Sequence, residues 1–158
     1  MMSTMVRSVK SVYVDAPVER VFPFVKDATN WDALSPWWVS VTYEPDDISP
    51  DGTGTLSYRG KALRVIDDSG TGEITEVIEN GRVVYRDADP FQGTSTFLFE
   101  PVGVGTAVTL VNERESLRAE RIPVVGRSVG WILGLHDDQV LRRLRTLMER
   151  NHMAGEST

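Results

Sequence analysis

Hydrophobic spacing changes period three times along this chain. Residues 6–14, VRSVKSVYV, are β-branched and partly alternating, which predicts a first strand. In DAPVERVFPFV the period lengthens: Val18, Val21, Phe22 and Val25 recur at i, i+3, i+4 and i+7, with Asp15 as a cap and Pro17 near the first helical position. This is a short amphipathic helix, bent near Pro23. A second one follows in ATNWDAL, where Asp27 is placed to cap it, Ala28, Trp31 and Leu34 share a face, and Pro36 helps to stop it.

From Trp37 to Leu117 the text reverts to strands separated by turn signals at 50–54, 67–72, 80–81, 89–93 and 102–106. Asn80-Gly81 is the clearest of them, because a tight hairpin turn needs positive φ and these residues tolerate it. The strands are expected near 37–44, 53–65, 72–79, 82–88, 93–100 and 105–117, an antiparallel meander. Residues 125–150 then carry Val129, Leu133, His136, Val140, Leu144 and Leu147 at steps of three and four, one long amphipathic C-terminal helix. The polar tail MAGEST is expected to fray.

The chain of 158 residues suits one domain, 1–158, with its core in 6–150. At 41% apolar and 25% charged residues it has the composition of a folded globular protein. A net charge of −6 disfavours a nucleic-acid partner, whose phosphates attract clustered Lys and Arg. With no cysteine, disulfides and thiolate chemistry are out of reach. No apolar run is long enough for a membrane span and no signal core opens the chain, so the expectation is cytoplasmic. The oligomeric state is not legible.

SVYVDAPVERVFPFVKDATNWDALSPWW resembles the opening of the START-like SRPBCC superfamily, particularly its polyketide cyclase/dehydrase-like branch. GEITEVIENGRVVYR and FEPVGVGTAVTL are similar to its central hairpins, and the resemblance spans about residues 6–150. It implies an α+β helix-grip fold: a curved seven-stranded antiparallel sheet wrapped around a long C-terminal helix, with two short helices after the first strand. It also implies a cavity between sheet and helix. Relatives use that cavity for lipids, polyketides or aromatic ligands, and some for cyclisation or dehydration.

His136 lies on the stripe that should face the sheet, where it serves either as a cavity acid/base or as a half-buried structural histidine. Asp137 and Asp138 are rotated about 100° and 200° from it on a helix, so the three do not converge on one ion. They are expected to be solvated and to pair with Arg142 or Arg143. His152 is four turns away, no metal-ligand spacing occurs, and neither a metal nor another cofactor is expected. In the last strand Val108, Leu110, Asn112, Arg114 and Ser116 share the face expected inward, where Arg114 would neutralise a ligand carboxylate or phenolate; a bulge would put Glu113 and Glu115 there instead. Tyr58, Tyr85, Phe97 and Phe99 are candidates for core or cavity wall, and one of Trp37 and Trp38 for the cavity entrance with Trp31.

The expected ligand-binding set is thus Trp37, Tyr58, Tyr85, Phe97, Phe99, Asn112, Arg114, Leu133, His136 and Val140, with His136 the catalytic candidate. Two functions compete: binding of a hydrophobic small molecule, and catalysis as a polyketide cyclase, aromatase or dehydratase, a lyase or isomerase. Catalysis needs at least two convergent polar groups. A protein-interaction surface has the least support, because no apolar stripe is left over beyond those the core absorbs.

Overall fold

A computed structural model describes residues 5–45, 52–62, 66–67, 69–89, 92–115 and 128–156. Strand β1 (Met5–Val14) leads into helix α1 (Val18–Lys26), one turn of 3-10 helix (Ala28–Asn30) and helix α2 (Trp31–Leu34). Strands β2 (Trp38–Pro45), β3 (Gly54–Ala62), β4 (Ile66–Asp67), β5 (Gly70–Ile78), β6 (Arg82–Asp89), β7 (Gly93–Val102) and β8 (Gly105–Glu115) precede helix α3 (Ser128–Glu156). The main sheet runs β1-β8-β7-β6-β5-β3-β2, every pair antiparallel, and β4 pairs with β3. Seven strands in this order, a long final helix and two short helices after the first strand make the helix-grip fold that the sequence implies.

Local differences from the sequence reading have physical causes. Pro17, not Asp15, is the N-cap of α1, and no side chain caps that end. Asp27 does cap the next turn, accepting from the Thr29 amide and hydroxyl. The turn expected at 67–72 is partly strand, because Ile66–Asp67 pair with Lys61 and Ala62. Asn80 has φ 58°, the left-handed conformation that its hairpin turn requires. Helix α3 continues to Glu156, through most of the tail expected to fray. Ser116, the strand end expected at 117 and the side chains of Val129 and His152 lie outside the described residues.

The inward sheet face is apolar at one end and polar at the other. Val83, Phe97, Phe99, Val108 and Leu110 are buried with Val18, Val21, Phe22 and Val25 of α1; the Phe22 and Phe99 rings meet edge to face at 5.3 Å. Toward the other end the same face carries Ser95, Asp87 and Asn112, all buried. Helix α3 lies over this half, burying Leu133, Val140 and Leu144 of the stripe read in the sequence together with Asp137, Leu141 and Met148, while His136 and Leu147 at its edge are partly buried. Asp137 thus sits in the middle of the buried stripe.

Candidate active site between α2, α3 and the polar end of the sheet

The strand register builds the polar wall. β8 pairs with β1 and β7 without a bulge, so Leu110, Asn112 and Arg114 face inward, while Glu113 points out and meets Arg7 at 3.7 Å. Arg114 is opposite Gly93, and Gly93 is opposite Asp87. A Cβ on Gly93 would collide with the Glu113 carbonyl oxygen and with the Arg114 side chain, so the glycine allows the close approach of β7 and β8 beside Arg114. Arg114 spans the gap: Nη1 donates to Asp87 Oδ2 at 3.3 Å, Nη2 to Ser95 Oγ at 2.6 Å and Nε to Asn112 Oδ1 at 2.7 Å. The Tyr58 hydroxyl meets both Asp87 oxygens, at 2.8 and 2.9 Å.

Asn112 connects this cluster to α3, its Nδ2 donating to Asp137 Oδ1 at 3.2 Å. Asp137 is fully buried, which corrects the expectation that it is solvated. Burial follows from its neighbours on the helix: Leu133, Val140 and Leu141 stand at i−4, i+3 and i+4 and turn toward the sheet. Asp138 is partly exposed as expected, but its partner is Lys10 at 3.5 Å rather than Arg142 or Arg143.

His136 has a partner on each ring nitrogen. Nδ1 is 3.1 Å from Asp137 Oδ1, and Nε2 is 2.8 Å from Ser35 Oγ. Asp137 Oδ1 already accepts from Asn112, so Nδ1 is the ring nitrogen that donates to it and Nε2 is left to accept from the Ser35 hydroxyl. The Trp37 amide donates to Ser35 Oγ at 3.2 Å. The resulting relay has one direction: Trp37 N–H to Ser35 Oγ–H to His136 Nε2, and His136 Nδ1–H to Asp137. Asp137 Oδ2 is buried with no hydrogen-bond partner among the described residues. A carboxylate in that position offsets the positive charge that His136 gains when it accepts a proton.

Between these groups lies a small open cavity of about 70 Å³. Its apolar lining is Trp31, Leu34, Trp38, Phe97, Leu110 and Val140, with Tyr85; its polar lining is Ser35, Ser95, Asn112, Arg114, His136 and Asp137. Trp31 is locked by its Nε1 donating to Val25 O at 2.7 Å, and packs edge to face on Tyr85 at 5.3 Å. Trp38 stacks on Tyr58 at 4.2 Å. Gly72 leaves room for the Tyr85 ring, which a Cβ there would strike.

Of the ten residues expected to bind ligand, Tyr85, Phe97, Asn112, Arg114, His136 and Val140 line this cavity. The other four are not part of its lining. Trp37 packs on the His136 ring at 4.3 Å, and Tyr58 lies behind Trp38. Phe99 packs on Phe22, and Leu133 is buried elsewhere along α3. Trp31 and Trp38 are at the cavity, as expected of Trp31 and one of the tryptophan pair. Both Trp37 and Trp38 are half-buried, because each covers a different ring. Arg114 is expected to meet a ligand anion, yet Asp87 already faces its charge.

The site residues that sequence reasoning missed are Ser35, Asp87 and Asp137. Asp137 had a signal in its apolar i−4, i+3 and i+4 neighbours. For Ser35 and Asp87 the sequence holds none, since their partners are 101 and 27 residues away. Among the described residues no three His, Asp or Glu side chains stand together as a metal centre, and no helix is long and apolar enough to cross a membrane.

Several solved structures share this architecture. The aromatase/cyclase Zhui from Streptomyces sp. R1128 superposes with a TM-score of 0.78 at 10% identity, covering 93% of this chain and 95% of that one. A START superfamily protein from Mycobacterium smegmatis gives 0.75 at 18% identity, covering 91% and 97%. TTHA0849 from Thermus thermophilus gives 0.74 at 19%, covering 89% and 94%. At such identities the likeness establishes the fold. No match is found among curated proteins. Residues 5–149 match the family model described as polyketide cyclase / dehydrase and lipid transport, and the chain therefore belongs to that family of the START-like SRPBCC superfamily.

Proposed function

We propose that the cavity binds a small apolar molecule carrying carbonyl or hydroxyl groups, of the polyketide or aromatic class. The observation behind this is the pairing of an aromatic wall with a hydrogen-bonding wall in one open cleft. Trp31, Trp38 and Phe97 offer ring faces, while Ser35, Asn112 and His136 offer oriented polar atoms. Because Asp87 faces the Arg114 charge, the cleft suits a neutral oxygen more than a carboxylate. A chain without cysteine is compatible with a cytoplasmic carrier or enzyme. Native mass spectrometry of freshly purified protein, followed by solvent extraction, tests this reading. A bound polyketide-like or aromatic molecule supports it; a phospholipid held through a charged headgroup contradicts it.

A second reading, cyclisation or dehydration, is favoured by the His136–Asp137 contact. His136 Nε2 would take a proton from a carbon flanked by carbonyls, and the enolate would attack a second carbonyl of the same molecule. The imidazolium returns the proton to the new alkoxide; in a dehydration the enolate instead expels a β-hydroxyl with formation of a C=C bond, and that hydroxyl takes the proton and leaves as water. Turnover of the extracted molecule by wild type, lost in His136→Gln, separates an enzyme from a carrier.

A further inference from the structure

We propose that Ser35, His136 and Asp137 form a nucleophilic relay that transfers an acyl group from an ester or thioester to water through an acyl-Ser35 intermediate. This rests on the reading that the cavity admits apolar carbonyl compounds, and adds a covalent chemistry to it. The geometry has the three required roles. Ser35 Oγ is 2.8 Å from His136 Nε2, and Nδ1 of the same ring is 3.1 Å from a carboxylate oxygen of Asp137. Both distances lie at hydrogen-bond reach for a nucleophile, a base and its orienting group, which are recognised by geometry rather than by order in the chain.

The supports of the relay are independent of it. The Ser35 amide donates to Trp31 O at 2.9 Å, and the following Pro36 holds Ser35 extended at the end of α2. Asn112 of β8 fixes Asp137, and Trp37 covers the His136 ring. A serine that served only to orient the imidazole would have no need of the cavity; Ser35 and His136 both line it.

In the acylation step Ser35 Oγ bonds to the carbonyl carbon as its proton passes to His136 Nε2. The C–O or C–S bond then breaks, and His136 returns that proton to the departing alcohol or thiol. Water repeats the sequence on acyl-Ser35: it gives a proton to His136 Nε2, its oxygen bonds to the acyl carbon, and Ser35 Oγ recovers the proton as the carboxylic acid leaves. Leu34, Leu110 and Val140 on the same cleft accept an alkyl chain.

The test mixes the full chain with p-nitrophenyl butyrate, follows nitrophenolate release, and maps the butyryl adduct by tandem mass spectrometry. Cavity occupancy is read in parallel from the fluorescence of anilinonaphthalene sulfonate. A burst near one equivalent, an adduct on Ser35, and turnover that falls to the buffer rate in Ser35→Ala and by about 100-fold or more in Asp137→Asn support the proposal. An adduct on another residue overturns it, and this result does not depend on any variant folding. Dye bound in the cavity without burst or adduct overturns the relay and leaves the binding reading standing. Neither dye nor adduct overturns both.

Discussion

Replacing Asp137 by asparagine should leave stability within about 1 kcal/mol of wild type while impairing proton transfer at His136. Asp137 is fully buried, and one of its carboxylate oxygens has no hydrogen-bond partner among the described residues. A carboxylate with so few partners carries an effective desolvation penalty of several kcal/mol. Its other oxygen accepts from Asn112 Nδ2 and His136 Nδ1. Changing two bonds with a charged acceptor into two neutral ones costs about 2 kcal/mol in total. The amide's Nδ2, standing where Oδ2 has no partner, leaves buried donors unpaired at about 1–3 kcal/mol, so gain and cost nearly cancel and stability stays within about 1 kcal/mol of wild type. Alanine is different, since it strands two buried donors and costs about 2–4 kcal/mol. Asn close to wild type and both well above Ala, read by urea denaturation and by differential scanning calorimetry, is the expected order. A loss of more than about 2 kcal/mol in Asp137→Asn would refute the reasoning, and three indistinguishable proteins would mean that Asp137 is solvated after all.

Other consequences concern neighbouring residues. Asp87→Ala should cost about 3–5 kcal/mol in chemical denaturation, because it strips a largely buried Arg114 of its counter-charge; a loss below about 1 kcal/mol would contradict the role given to this pair. Gly93→Ala should destabilise by about 1–3 kcal/mol in chemical denaturation, since its Cβ strikes the Glu113 carbonyl oxygen and the Arg114 side chain; unchanged stability would show that neither contact is tight. His136→Ala should alter ligand affinity or selectivity more than folding stability, and equal binding with a large stability loss would return His136 to a structural part.

The fold was legible because its signals are periodic and local: an alternating first strand, helical spacing from Val18 to Val25, an Asn-Gly hairpin and a long final stripe. The site was only half legible. Alternation along β8 correctly turned Asn112 and Arg114 inward, since an unbulged strand preserves its faces. On α3 the predicted stripe is right at Leu133, Val140 and Leu144 but too narrow, because the buried face also takes in Asp137, Leu141 and Met148. It makes His136 the polar member of an apolar face and Asp137 a surface residue, whereas Asp137 is the more deeply buried of the two. Residue type alone assigns a charged side chain to water, although its neighbours at i−4, i+3 and i+4 place it toward the sheet. Ser35 and Asp87 were beyond reach, because what marks them is tertiary: one meets a helix 101 residues later, the other an arginine across a glycine gap.

The account stands on ligand entry into the cleft lined by Trp31 and Trp38. Indole N–H resonances of the four tryptophans offer a direct reading during titration with a hydroxynaphthalene. Trp31 and Trp38 line the cavity, whereas Trp131 is exposed on α3 and is not part of its lining. The account predicts saturable shifts of the Trp31 and Trp38 signals with Trp131 unmoved. Shifts confined to Trp131, or none at all, would contradict it.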